Sequence, residues 1–290
     1  MKNYREYDRA TLDRLYSPEI GVANVESLRS QYRADSDKVR SVLKTRLDVA
    51  YGPGPAQKLD IYLTDKPRAP ILVFIHGGAW RGSNKSERAF PALVFSRAGA
   101  IFISIEYPLA PAVSVDEIVR QAYEAIVWIH RNAESFGGDP ARIHVSGNSA
   151  GAQLAAMILG ADWKSNGIPE TVCAGGCLIS GIFDLEPLRL GGYNEWLKLD
   201  PGAAARNSPI LHLPARGCPL VVAAGRDETS EFVRQSLEYF NAWVDRGFDG
   251  ALMIMPRHNH FSIIGELGNP ASLLCQAALH QMGLGPGGRR

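Results

Sequence analysis

Ile143-His144-Val145-Ser146-Gly147-Asn148-Ser149-Ala150-Gly151 is the stretch whose reading decides the fold. It runs as a strand, a tight turn and a helix opened by small residues, continued by Gln153, Leu154, Ala155 and Ala156. Glycines two places either side of Ser149 are needed because a Cβ there would strike the neighbouring strand or helix. The strained turn directs the serine hydroxyl outward, and the helix that follows brings free N–H groups and its positive end close by. The same five-residue pattern also occurs as a glycine-rich turn with an idle serine. Its placement between strand and helix marks Ser149 as a candidate nucleophile.

Outward from this turn, short β-branched runs alternate with longer helical patterns, the signature of a largely parallel sheet covered by helices. The expected strands are Leu47 to Ala50, Leu59 to Leu63, Ile71 to Ile75, Ala100 to Ile105, Ile143 to Ser146, Cys173 to Ser180, Leu220 to Ala224 and Ala251 to Met255. Helical patterns cover Glu87 to Arg97, Val115 to Ser135, Ser149 to Gly160, Glu231 to Asp245 and Ala271 to Met282. The result is an α/β class with eight strands, the count of an α/β-hydrolase fold, and helices on both faces. Residues 1–44, helical and polar, and the insertion 185–215, without clear periodicity, are cap candidates over the sheet's carboxyl edge. One domain spanning 1–290 with a flexible tail at 283–290 is expected.

Upstream of the turn, the apolar strand Ile71 to Ile75 runs into His76-Gly77-Gly78-Ala79-Trp80, where an oxyanion-binding loop belongs in chain order. The N–H groups of Gly77, Gly78 and Ala150 are assigned to a developing negative charge. His76 is read as bracing that loop. Downstream, the chain order of serine, acid and histidine offers His258 and His260 as the base. His260 is chosen because it directly precedes Phe261-Ser262-Ile263-Ile264, where the chain turns back into helix, and His258 is left as a loop residue. The strand Leu220 to Ala224 ends in Gly225-Arg226-Asp227-Glu228-Thr229, two adjacent carboxylates for one task, so either Asp227 or Glu228 is the acid on these grounds. Trp80, Tyr107 and Phe183, at or just after strand ends, are expected to line an aromatic substrate pocket, with Tyr193 and Trp196 closing it from above.

Composition narrows the function classes. The 31 Lys and Arg residues balance 30 Asp and Glu, with no basic block to suggest nucleic acid. The charged start and the lack of a long apolar run point to neither a secretion signal nor a membrane span, and a cytoplasmic location is expected. Cys173, Cys177, Cys218 and Cys275 sit among apolar residues and read as reduced core thiols. A metal pair at Cys173 and Cys177 has no second pair at finger spacing.

Taken together, His76-Gly77-Gly78-Ala79-Trp80, Gly147-Asn148-Ser149-Ala150-Gly151 and His260-Phe261 resemble the hormone-sensitive-lipase-like esterases. Ser180-Gly181-Ile182-Phe183-Asp184-Leu185-Glu186-Pro187-Leu188, Ser208-Pro209 and Glu228-Thr229-Ser230-Glu231-Phe232-Val233-Arg234-Gln235-Ser236 resemble the arylformamidase (kynurenine formamidase) branch. The likeness runs from about Leu59 to Ile264. It implies Glu228 as the acid, three residues after the strand-end glycine, where an aspartate is the commoner residue. It also implies hydrolysis of N-formylkynurenine to kynurenine and formate without a cofactor; relatives with the same motifs cleave other amides and esters. A serine hydrolase acting on a small ester or amide, with an aromatic group, is therefore expected. Nucleic-acid and membrane partners are not expected, and a homodimer stays open. A carboxylesterase is the alternative. A catalytically silent ligand-binding module is the remote one, since it has no need of serine, acid and late histidine in this order.

Overall fold

Each of the eight expected strand segments is a strand in the computed structural model of the chain, which describes residues 4–165 and 167–285. They are β1 (Thr45–Ala50), β2 (Lys58–Tyr62), β3 (Ala69–Ile75), β4 (Ile101–Ile105), β5 (Gly138–Asn148), β6 (Cys173–Ile179), β7 (Leu220–Gly225) and β8 (Gly250–Met255). The helices are α1 (Arg9–Leu15), α2 (Val25–Val42), α3 (Ala92–Ala98), α4 (Val115–Asn132), α5 (Ala150–Gly160), α6 (Glu186–Leu190), α7 (Asn194–Leu197), α8 (Pro201–Arg206), α9 (Ser230–Asp245) and α10 (Leu273–Gln281). The sheet order is β1-β2-β4-β3-β5-β6-β7-β8. Only β2 runs antiparallel to its neighbours; from β4 to β8 every pairing is parallel.

Alternation along the central strands builds the two sides of the core. Ile71, Val73 and Ile75 join the buried faces of α4, α5 and α9. Leu72 and Phe74 join α3, α10 and the α2 residues Tyr32 and Val39. The sheet is thereby covered on both faces. The strand order reverses around β3: the chain leaves it through α3 towards β4 on one side, and leaves β5 through α5 towards β6 on the other. A crevice forms at such a switch, outside the carboxyl ends of the strands. The register holds those ends level, with Ile75 opposite Gly147, Ile179 opposite Ala223 and Gly225 opposite Met255.

Three expectations are corrected. The helix expected over Glu87 to Arg97 is a 3-10 turn at Lys85–Arg88 and a separate α3, because Pro91 lacks an N–H and keeps Phe90 out of helical geometry. The insertion at 185–215 holds the short helices α6, α7 and α8 and a 3-10 turn at Pro209–Leu211. The tail is anchored at its start. Gly283 and Leu284 donate to the carbonyls of His280 and Leu279, with Gly283 at φ 72°, so they close the last turn of α10; residues 286–290 lie outside the described residues. Among the described residues no helix is long and apolar enough to cross a membrane.

β5 carries one ionisable group into the core. His144 is buried and its Nδ1 has no partner among the described residues, so burial, with a smaller contribution from Arg142, pushes the imidazole down to about 4. The unfolded chain binds that proton near pH 6.5, hence stability is lost as pH falls from about 6.5 towards 4. Between pH 7 and pH 5 the loss from this group is about 2 kcal/mol. Urea unfolding at the two pH values should show a His144→Gln variant losing less stability than the wild type by about that amount; equal losses would refute it.

Candidate active site

Ser149 stands between β5 and α5 at φ 55° and ψ −123°, a conformation that an L-residue occupies only when the surroundings impose it. The imposing contacts are backbone approaches. A Cβ on Gly147 would lie 2.3 Å from the carbonyl oxygen of Gly151, and one on Gly151 would lie 2.1 Å from that of Ile75. Both glycines are therefore required by contact as well as by flexibility. The Ser149 N–H is taken by the Ile179 carbonyl at 2.9 Å, which ties the turn to β6, while its Oγ has no hydrogen-bond partner among the described residues.

At the end of β3 the loop His76 to Gly82 faces this turn. His76 is fully buried, with Nε2 2.9 Å from Glu106 Oε1, Nδ1 2.8 Å from the Gly77 carbonyl, and its ring stacked on Tyr107. Both nitrogens are engaged, so it braces the loop. Burial pushes the Glu106 carboxyl up, but the hydrogen bond and charge of His76 and the Lys85 and Tyr107 amides outweigh it and hold it lower than usual. The Gly77 N–H donates to Asn148 Oδ1 at 3.1 Å and is spent on holding loop and elbow together. The N–H groups of Gly78, Ala79 and Ala150 have no partner among the described residues. Ala79 thus stands where Gly77 was expected. Its φ of 55° and that of Gly78 at 110° are the local cost of turning the loop inward.

Glu228 and His260 meet across the ends of β7 and β8. His260 Nδ1 lies 2.7 Å from Glu228 Oε2. The other carboxylate oxygen accepts from Ser180 Oγ and from the Gly225 N–H, each at 2.6 Å. The carboxylate is completely buried and held at both oxygens. Asp227 points to solvent, its N–H donating to the His258 carbonyl. Gly225 packs against that same carbonyl, which holds His258 half-buried, in place of the exposed loop position expected for it. Asn259 locks the next turn: its Oδ1 accepts from Phe261 and Ser262 N–H groups, each at 3.0 Å, which sets His260 over the Phe232 ring at 4.4 Å.

Ser149 and His260 face one cleft of about 700 Å³ at the switch between β3 and β5. Its walls include Gly78 and Ala79, Tyr193 and Trp196 of the insertion, and Glu19, Arg29 and Tyr32 of the N-terminal segment. Among the described residues no group of His, Cys, Asp or Glu is arranged to hold a metal ion, and the four cysteines are free.

A family model for the α/β-hydrolase fold matches residues 72–201. Over its whole length the chain resembles two kynurenine formamidases: that of Danio rerio is 31% identical over 300 residues, 98% of this chain and 99% of the relative. That of Salmo salar is 31% identical, again over 98% of this chain and 99% of the relative. The chain belongs to the α/β-hydrolase family. It is a hydrolase, as these relatives are. Among solved structures, a protein assigned as a thioesterase from Silicibacter sp. TM1040 superposes with a TM-score of 0.80 at 29% identity, over 91% of this chain and 97% of that one. An esterase of Pyrobaculum calidifontis shares the fold, with a TM-score of 0.71 at 21% identity, over 94% and 96% of the two chains.

The aromatic residues expected at the pocket lie elsewhere. Trp80, Tyr107 and Phe183, expected to line the pocket, do not line the cleft. Trp80 is buried with Nε1 on Gln153, Tyr107 is buried with its hydroxyl on the His76 carbonyl, and Phe183 is buried against Tyr239. Strand-end aromatics in this sheet face the packed helices, so they belong to the core. The aromatic wall comes instead from Tyr32, Tyr193, Trp196 and Phe261. Trp196 is aimed by its Nε1 bond to the Ala79 carbonyl at 3.0 Å, Tyr193 by its hydroxyl on the Tyr16 carbonyl. Sequence reasoning missed Ser180, Asn148 and Asn259, polar residues at strand ends whose only signal is their place beside a motif.

The doubly held carboxylate generates a ranking. Glu228→Gln removes the charge facing His260, whereas Asp227→Asn alters an exposed group. We expect hydrolysis to fall about a thousandfold or more in the first variant and less than about threefold in the second. Comparable kcat/KM losses in the two would contradict it.

Proposed function

We propose that the chain is a serine hydrolase that removes a short acyl group, best a formyl group, from an arylamine such as kynurenine. Ser149 acts as the nucleophile, His260 as general base and Glu228 as the acid that orients it. The observation that carries this reading is the 2.7 Å Glu228–His260 contact, with the second carboxylate oxygen held by Ser180 and Gly225, on the same cleft as the strained Ser149. A fixed carboxylate on Nδ1 leaves Nε2 as the acceptor, the tautomer that can take the serine proton.

In the proposed reaction Ser149 Oγ attacks the formamide carbonyl carbon as its proton passes to His260 Nε2. The oxyanion faces the N–H groups of Gly78, Ala79 and Ala150, a contribution of about 3 to 4 kcal/mol per donor in comparable sites. The imidazolium returns the proton to the departing arylamine nitrogen, leaving a formyl ester on Ser149. Water, deprotonated by His260, attacks that ester; formate leaves and the serine is restored. No metal or cofactor takes part in these steps.

Whole-length similarity to two kynurenine formamidases favours N-formylkynurenine as substrate, and the aromatic wall of Tyr193, Trp196 and Phe261 suits the aryl ring. In this reading residues 1–290 act as one domain, with the N-terminal helices and the insertion as the cap. A carboxylesterase is the second reading, favoured by the likeness of the chain to a protein assigned as a thioesterase, since the same machinery serves esters.

Two measurements test the proposal. Ser149→Ala should lower kcat about a thousandfold or more and abolish labelling by a fluorophosphonate probe, while the variant keeps its thermal unfolding temperature. Survival of more than a tenth of the activity would remove Ser149 from the role. For the substrate, kcat/KM on N-formylkynurenine should exceed that on 4-nitrophenyl acetate by at least about tenfold. The reverse preference would make the enzyme an esterase.

A further inference from the structure

The cleft carries more positive groups than its own acids satisfy. Of the arginines that line it, Arg29 pairs with Glu19 at 2.8 Å and Arg33 pairs with Glu26. Arg81 is exposed to solvent, its guanidinium 5.1 Å from the Trp196 ring centroid. Arg88 differs from all three. Its Nε is buried, and among the described residues it makes neither an ion pair nor a hydrogen bond. The nearest acid, Glu87, accepts instead from Ser83 Oγ at 3.3 Å. What Arg88 does have is the ring of Tyr32, 5.7 Å from its guanidinium carbon.

A largely buried guanidinium with no ion-paired or hydrogen-bonded acid is costly, and it stays protonated at neutral pH. Here burial, helped by the like charges of Arg29 and Arg33, outweighs the opposing pull of Glu87 and Tyr32 and holds its pKa below the ordinary arginine value. The residue ends the 3-10 turn at Lys85–Arg88, which is capped by Asn84 and pinned by the Lys85 N–H on Glu106 and by Arg40 on the Ser86 carbonyl. Tyr32 beneath it is held in turn by stacking on Phe90 and by its hydroxyl on the Phe261 carbonyl at 2.8 Å, one residue from His260. An unpaired, braced cation thus stands in the same cleft as the nucleophile and base, on the wall that carries His260.

We propose that Arg88 binds a carboxylate of the substrate, so that the preferred substrates are aryl formamides or esters bearing a negative charge away from the bond that is cut. The inference rests on reading this cleft as the active site, and it adds to that reading the charge of the molecule and the residue that selects it. A planar guanidinium meets a carboxylate through two parallel N–H···O bonds, which fixes direction as well as distance. With the carboxylate held on Arg88 and the aromatic ring against the Tyr193 and Trp196 side, the substrate lies in the cleft that Ser149 also lines. Neutral aryl esters lack that anchor.

Calorimetric titration of Ser149→Ala protein reads affinity without turnover. The ligands are N-formylkynurenine and its carboxamide, in which a neutral amide of similar size replaces the carboxylate. The acid should bind about tenfold or more tightly than the carboxamide. In Ser149→Ala/Arg88→Met the preference should collapse to less than about twofold, with carboxamide affinity retained as the sign of an intact cleft. Arg88→Lys in the same background should recover part of the preference, and Arg81→Met should keep it. No preference for the acid in the Ser149→Ala protein, a preference that survives Arg88→Met, or one that collapses with Arg81→Met would each overturn the proposal. Loss of carboxamide binding in Arg88→Met would transfer the decision to the Arg88→Lys variant, where a preference above about twofold supports the proposal and a smaller one refutes it. Should the wild-type enzyme fail to cleave N-formylkynurenine while the acid is still preferred through Arg88, the formamide reading falls and the anion site stands.

Discussion

The structure depends on one close approach of backbone to backbone. At the end of β5 the chain reverses so tightly that the Gly147 and Gly151 α-carbons pack against carbonyl oxygens, with no room for a methyl group. This contact presses α5 down onto β3 and lifts Ser149 into its strained conformation. The strain persists because α5 is buried along almost its whole length and cannot withdraw. The same approach presents the N–H of Ala150 beside the loop after β3, so the proposed nucleophile and the amides proposed to face its oxyanion are positioned by a single steric constraint. Asn148 completes it, its side chain holding the Gly77 amide and so turning the next two amides of the loop free.

The other half of the site is held by charge and hydrogen bonding. Glu228 is buried as a carboxylate, which is affordable only because three donors surround its oxygens: Ser180 Oγ, the Gly225 amide and His260 Nδ1. These donors come from the ends of β6 and β7 and the loop after β8. Glu228 therefore ties together the segments that leave three neighbouring strand ends. A second buried polar cluster lies one turn further along α9, where Glu231 meets Arg234 and the hydroxyl of Tyr16, and Gln235 donates to that hydroxyl. Through it the N-terminal segment is clasped to the helix that follows the acid. The cleft wall contributed by residues 17–33 is consequently fixed relative to the catalytic side.

What was readable in the chain and what was not divides along physical lines. Strands β3, β4 and β7 were legible because burial on both faces makes them largely apolar runs. The elbow was legible because its glycines are demanded by local sterics, within five residues. His260 and the competing carboxylates were legible as candidates because chain order limits them to the ends of late strands. The aromatic pocket was not. Trp80, Tyr107 and Phe183 sit beside the motifs in sequence, yet their side chains turn into the core, and the residues that do face the cleft come from a polar N-terminal helix and an insertion without periodicity.

The chain alone therefore determined the fold class, the nucleophile turn and the order of serine, acid and histidine, since each follows from contacts between near neighbours or from a period of apolar residues. The tertiary structure decided the rest. It set Glu228 rather than Asp227 against His260, because the direction of a side chain at the end of β7 depends on where β6 and the loop after β8 place their donors. It moved the second loop amide from Gly77 to Ala79, because Asn148 reaches across from another strand. It also left Arg88 beside Tyr32 without a partner, a feature that arises only when α2, fifty residues earlier, is folded over the mouth of the sheet and brings its own arginines already paired.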